Sequence, residues 1–128
     1  MGDVAAYRCR GGRLRIEHWT NARDMPLSAA RSLPATLRGQ DATALPVYDP
    51  LPYVWSDQYD VRLQMAGRPG ADDVLELVSG TFDDRFAAVY RRDGAIWGVL
   101  ALGNPRDFGQ LKRELRTAWA ARSAERSQ

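Results

Sequence analysis

The sequence predicts an α+β fold, a five-stranded antiparallel sheet with flanking helices, on three observations. Five runs rich in strand-forming residues lie between Tyr53 and Leu102 and are separated by turn residues. Asp93-Gly94 stands between two of these runs, and such a pair supplies positive φ at little cost in a tight hairpin. Phe108, Leu111, Leu115 and Trp119 then recur at helical spacing, so a helix carries an apolar stripe that must lie on something, most simply one face of the sheet.

Whole-chain properties bound what the protein can be. With 128 residues and 45% apolar content it can bury a core of its own. No window approaches about twenty consecutive apolar residues, and no basic start precedes an apolar signal core. The expectation is a soluble, cytoplasmic protein with no membrane contact. Cys9 is the only cysteine and His18 the only histidine, which excludes a disulfide framework and leaves metal ligation without support. The net charge of +2 hides an asymmetry: residues 1 to 40 carry 7 Arg against 3 acids, 41 to 103 carry 5 against 10, and 104 to 128 carry 6 Arg or Lys against 3. Basic ends around an acidic middle fit either solvated helix faces or a docking face for an acidic partner. Nucleic acid is not expected, because the basic residues are not interleaved with stacking aromatics in one strip.

Taken in order, Gly2-Asp3-Val4-Ala5 offers a short carboxylate beside a glycine, either an ordinary N-cap or a grip on a hydroxylated chain. Arg13 to Glu17 alternates polar and apolar residues and reads as a strand after a Gly11-Gly12 turn. His18 and Trp19 sit at its exit, before Thr20 or Asn21 caps a helix. Proline is tolerated only in a first helical turn, so the helix is expected to restart at Pro26 and to end near Pro34. Gly39 to Pro50 has no sustained period and reads as an extended linker.

Tyr53–Asp57, Val61–Ala66, Val74–Val78, Arg85–Arg91 and Ala95–Leu102 are the five strands. Asn104 caps the last helix, with Pro105 at its first position and Asp107 near the positive end of its dipole. Arg122 to Gln128 is polar and is expected to fray. Trp97 and Trp119 belong to a core or an interface, whereas Trp55 has the polar neighbours Ser56, Asp57 and Gln58 and suits a ring contact equally well. The expected organisation is residues 1–40, a linker at 41–52, and a sheet domain at 53–128.

Pro52-Tyr53-Val54-Trp55-Ser56-Asp57-Gln58-Tyr59-Asp60, with Gly2-Asp3-Val4-Ala5 and Glu17-His18-Trp19 before it and Asn104 to Phe108 after it, resembles the C-terminal part of FAD-dependent NAD(P)H:ferredoxin and rubredoxin reductases, relatives of apoptosis-inducing factor. The resemblance runs from Gly2 to about Trp119. It implies that residues 1–40 are the tail end of an FAD-binding domain, that Asp3 bonds the ribityl part of the flavin, and that His18, Trp19 and Trp55 lie at the flavin edge. It implies FAD as the cofactor of a complete member and a ferredoxin or rubredoxin as its electron carrier. One departure is visible: Met25-Pro26 stands where similar reductases usually carry Gln-Gly.

Hydride transfer from a nicotinamide to a flavin needs loops that cradle both pyrophosphates. No Gly-x-Gly-x-x-Gly occurs here, and one histidine without a placed nucleophile supports no independent catalysis. Three expectations stay open. The chain is the C-terminal portion of a flavin reductase, truncated and inactive alone, with the FAD and NAD domains missing and no cofactor of its own. Alternatively it is a stand-alone homodimeric interaction module without redox activity, or a complete small flavoprotein.

Overall fold

The computed structural model describes residues 1–9, 12–41, 45 and 47–125. The chain forms two compact units, Met1–Pro50 and Leu51–Gln128.

The first unit opens with a 3-10 turn at Gly2–Val4, followed by a ribbon of β1 (Ala6–Cys9) and β2 (Gly12–Arg15) and by helix α1 (Trp19–Leu37). β1 and β2 pair antiparallel from Ala6 opposite Arg15 to Cys9 opposite Gly12. β1 has no counterpart among the predicted strands, and β2 stops two residues short of Glu17. The predicted Gly11-Gly12 turn includes Gly11, which lies outside the described residues. Gly2 takes φ 76° and is buried, which lets the turn pack on α1 at Ala22.

Helix α1 corrects two expectations. It begins at Trp19 with the extended His18 as N-cap, not at Thr20 or Asn21, and it runs unbroken through Pro26 and Pro34. Each proline removes a backbone donor, so neither Ala22 nor Ala30 has its usual partner four residues on. Tertiary anchoring outweighs that loss on the N-terminal side. Met25 and Asn21 are buried, and the Asn21 side-chain amide donates to the Ile16 carbonyl at 2.9 Å while accepting from the Tyr48 hydroxyl at 3.1 Å. Of the predicted linker, residues 42–44 and 46 lie outside the described residues, and 47–50 have no regular structure.

The second unit holds β3 (Tyr53–Gln58), β4 (Val61–Gly67), β5 (Val74–Gly80), β6 (Phe86–Arg92), β7 (Ala95–Leu102) and α2 (Pro105–Glu125). As predicted, the five strands form one antiparallel sheet, and its order is β3-β4-β7-β6-β5. Asp93 and Gly94 take φ 51° and 77°, the left-handed pair that a two-residue hairpin between β6 and β7 demands. Helix α2 lies across β4, β7 and β6. Ala66, Ala87, Val89, Val99 and Ala101 share the face beneath it, and Phe108, Leu111 and Leu115 close the core from above. Three of those five sheet residues are alanine, which lets the helix approach closely. Leu115 is fully buried, and its removal from water contributes about 2 kcal/mol.

Both ends of α2 are tied down. Asn104 caps it, accepting from the Asp107 amide at 3.3 Å. The predicted fraying does not begin at Arg122: its guanidinium donates to the Ile96 carbonyl at 3.0 Å and lies over the Trp97 ring at 4.4 Å. Trp97 and Trp119 are half-buried. Arg92 covers Trp97 at 4.5 Å and Arg68 covers Trp119 at 5.1 Å, so both indoles sit in a guanidinium-lined rim around the core.

Candidate functional site

The four predicted site residues are divided between the units. In the first, Asp3 lies in the 3-10 turn, whose N-cap is Met1, so Asp3 is not the ordinary N-cap that was one of its two readings. Its carboxylate is exposed, and the turn packs on the helix that His18 and Trp19 begin. His18 is half-buried as N-cap of α1, its backbone carbonyl accepting from Ala22 at 3.0 Å. The side-chain Nδ1 is buried yet has no hydrogen-bond partner among the described residues. A buried ring nitrogen in that state is a cost unless something supplies the missing bond. Trp19 is 63% exposed, with the Arg23 guanidinium 5.2 Å from its ring centroid. Arg23 is in turn held by Asp24 at 2.7 Å.

Behind these residues the unit is held by aromatic packing and polar bonds. Tyr7 and Tyr48 meet edge to face at 5.0 Å. Burial, with Tyr7 and Asp24 nearby, pushes the Tyr48 phenol up to about 12, so it stays protonated and able to donate to Asn21.

In the second unit, Trp55 stands on β3 and stacks on Tyr53 at 5.4 Å and 26°. Two residues apart on a strand, they face the same side, the side on which α2 lies. Phe108 of α2 meets Tyr53 at 5.7 Å, and Lys112, one turn later, sets its Nζ 3.4 Å from the Tyr53 ring centroid. Burial lowers the Lys112 pKa, with Arg116 adding to the effect. The Gln64 amide donates to the Tyr53 hydroxyl at 2.9 Å, fixing the ring from below. The polar residues that follow Trp55 are already engaged: Asp57 takes two bonds from Arg62 at 2.5 and 3.0 Å, and Ser56 accepts from Gln58 at 2.6 Å.

The structure therefore shows a second-unit cluster in which Trp55 is one member, joined by Tyr53, Gln64, Phe108 and Lys112. Sequence patterns held a signal for two of these. Tyr53 precedes Trp55 by two on a strand, and Lys112 follows Phe108 by four on a helix. Their meeting required the fold. A separate hollow of about 640 Å³ is lined by Ala6, Arg8, Cys9, Gly12 and Arg13, none of them predicted site residues. Among the described residues no group of three potential ligands could hold a metal ion, and no helix is long and apolar enough to cross a membrane.

An α-helix laid on a five-stranded antiparallel sheet, with an aromatic and cationic cluster at the sheet's first strand, defines a small α+β domain. Residues 53–126 match the family described as reductase C-terminal, and the chain belongs to that family. It is 32% identical over 113 residues to the ferredoxin reductase subunit of 5,5'-dehydrodivanillate O-demethylase from Sphingobium sp., covering 86% of this chain and 26% of that one. To rhodocoxin reductase from Rhodococcus erythropolis it is 34% identical over 120 residues, with coverage of 91% and 26%. Among solved structures, the covalent putidaredoxin reductase–putidaredoxin complex matches with a TM-score of 0.66 and 28% identity, over 89% of this chain and 26% of that one. The chain thus spans about a quarter of the length of the curated relatives it matches. The resemblance read from the motifs is correct at this level.

Proposed function

We propose that this chain is the C-terminal, flavin-edge and docking part of a ferredoxin or rubredoxin reductase that passes electrons from NAD(P)H through FAD to an iron–sulfur or rubredoxin-type carrier. The observation that carries the proposal is the match of residues 53–126 to the reductase C-terminal family, extended by relatives that are ferredoxin reductases.

The residues present fit a flavin. The unsatisfied Nδ1 of His18 can accept or donate one bond at a ring edge, the exposed Trp19 indole gives a flat apolar contact, and the free carboxylate of Asp3 can accept from ribityl hydroxyls. FAD, when bound, supplies the step between two-electron and one-electron transfer. The protein's own residues supply contact and orientation. His18 acts as a contact and not as an acid or base. In the second unit, Trp55, braced by Tyr53, offers a flat ring surface of its own. Lys112 puts a partly desolvated positive charge beside that surface, which suits the acidic face of a small electron carrier.

Titrating the full chain with an acidic [2Fe-2S] ferredoxin, by NMR or by light scattering at several ionic strengths, tests the docking role. Binding should weaken steeply as salt rises. Absence of any salt-sensitive binding at low ionic strength would remove the docking role.

A further inference from the structure

The hollow beside the β1–β2 ribbon has two charged residues in its lining, Arg8 and Arg13, and no carboxylate. The register sets these two arginines directly opposite each other. Cross-strand partners hold their Cβ atoms about 5 Å apart, and like charges so placed destabilise the pair. A two-stranded ribbon is marginally stable by itself, so the repulsion falls on an element with little stability of its own.

No acid of the chain offsets it. Arg15, on the same face of β2, is paired with Glu17, and Arg23, Arg62, Arg91 and Arg92 each hold a carboxylate. Arg8 and Arg13 are exposed and make no ion pair or side-chain hydrogen bond among the described residues. Of the three acids in residues 1 to 40, Glu17 and Asp24 are already taken.

The ribbon also directs both guanidinium groups to one side. Tyr7 and Leu14 form the next pair, are half-buried, and mark the packed face, where Tyr7 meets Tyr48. Arg8 and Arg13 alternate with them and project from the opposite face, beside the short side chain of Ala6. Gly12, at φ 128°, has nothing within 4 Å of where a Cβ would stand, so the space next to the arginines is open. The Cys9 thiol donates across the ribbon to the Gly12 carbonyl at 3.4 Å and adds no charge. At about 640 Å³ the hollow is far larger than a bare ion and lies within the range of small-molecule sites.

We propose that Arg8 and Arg13 bind the phosphate or pyrophosphate group of a small molecule whose remainder lies in this hollow. A guanidinium fork matches phosphate oxygens two at a time, and two forks on opposed strands can close on one dianionic group. Such a group neutralises both charges at once and turns the repulsion across the ribbon into a shared attraction.

Calorimetric titration of the full chain with inorganic pyrophosphate, and separately with malonate, tests this at an ionic strength of about 0.1 M, where distant charges are screened. Pyrophosphate should bind with a dissociation constant below about 1 mM and at least about tenfold more tightly than malonate. Arg8→Gln and Arg13→Gln should each weaken it at least about tenfold with an unchanged far-UV spectrum, whereas Arg31→Gln, which removes the same charge from an exposed position on α1, should leave it unchanged. Without pyrophosphate Arg13→Gln should melt no lower than the wild-type chain, and with saturating pyrophosphate the wild-type chain should melt higher. Absence of binding would overturn the proposal, as would a midpoint order that pyrophosphate does not reverse. Malonate binding as tightly as pyrophosphate would assign the pair to carboxylates instead, and an equal loss in Arg31→Gln would reduce it to a diffuse positive field; either result overturns the assignment to phosphate.

Discussion

The Nζ of Lys112 lies 3.4 Å from the centroid of the Tyr53 ring, so the chain's single lysine is held by an aromatic face that belongs to a different element. Tyr53 is fixed in turn by Gln64 below and Phe108 beside it. A cation in that position contributes about 1 kcal/mol and sits where a partner's charge can feel it. Lys112→Ala should therefore lower the urea-unfolding free energy by about 1 kcal/mol through lost ring contact and stem packing. Lys112→Glu should slow association with an acidic ferredoxin about tenfold at low ionic strength, with the difference shrinking at high salt. Stopped-flow measurement at two salt concentrations checks this. An equal rate for the wild-type chain and Lys112→Glu at low salt would exclude Lys112 from the docking field.

Asp107, Ser79 and Asn104 form a closed triangle that ties the edge strand β5 to the start of α2. The Ser79 hydroxyl donates to Asp107 at 2.5 Å, and the Asn104 amide donates to Asp107 at 2.9 Å and to Ser79 at 3.0 Å. The Ser79 bond first, and the Asn104 bond second, hold the Asp107 carboxyl below its ordinary range. A carboxyl depressed in the folded state adds stability above the unfolded-state pKa of about 4, and that contribution disappears as pH falls through the lower folded-state value. Asp107→Asn should be less stable than the wild-type chain at pH 7, and the gap should close as the pH is lowered below about 4. Urea midpoints at pH 7, 4 and 3 give the comparison, and Ser79→Ala should show a smaller change of the same sign. A gap independent of pH would mean that the carboxylate charge is not what the triangle uses.

How much of this was legible in the sequence depended on range. β7 occupies Ala95–Leu102 as predicted, and the Asp93-Gly94 hairpin is where its chemistry put it, because both signals are local. Phe108, Leu111 and Leu115 are buried as their spacing implied. The strand Ala6–Cys9 was not legible, since four residues without clear alternation gain their pairing only from β2. Helix α1 was misjudged for the opposite reason: the proline rule is local and sound, but Asn21 and Met25 bind the helix to its unit from outside the window the rule considers. The candidate site divides the same way. Motifs picked out Asp3, His18, Trp19 and Trp55, while the Lys112–Tyr53 contact joins a helix to a strand far away in sequence.

Pro34 lies on the exposed side of α1, three residues before its end, and deprives the Ala30 carbonyl of a donor. Pro34→Ala should restore that bond without disturbing any packed neighbour. The helix should gain about 1 to 2 kcal/mol, less than the full proline penalty because alanine also frees the unfolded chain. Far-UV circular dichroism on heating should show a higher midpoint. An unchanged or lower midpoint would mean that the proline is needed to set the helix's end.

Two glycines make opposite predictions from the same substitution. Gly67 ends β4 at φ 97°, and a Cβ there would stand 2.3 Å from the Trp97 carbonyl oxygen and 2.8 Å from the Gly98 Cα, both backbone atoms of the neighbouring strand. Neither can move without breaking the bonds around them: Gly67 donates to Pro52 at 3.0 Å and Arg68 donates to that same Trp97 carbonyl at 2.9 Å. Gly67→Ala should cost about 3 kcal/mol or more, from the strained φ and the clash together. Gly109 lies in α2 with nothing within 4 Å of a Cβ, so the helix carries the entropy cost of glycine for no steric reason. Gly109→Ala should stabilise by about 0.5 to 1 kcal/mol. Urea unfolding of both variants side by side decides the matter. A Gly67→Ala protein as stable as the wild type would require β4 and β7 to separate at that end, and would place the real β4–β7 register somewhere other than Ala66 opposite Val99.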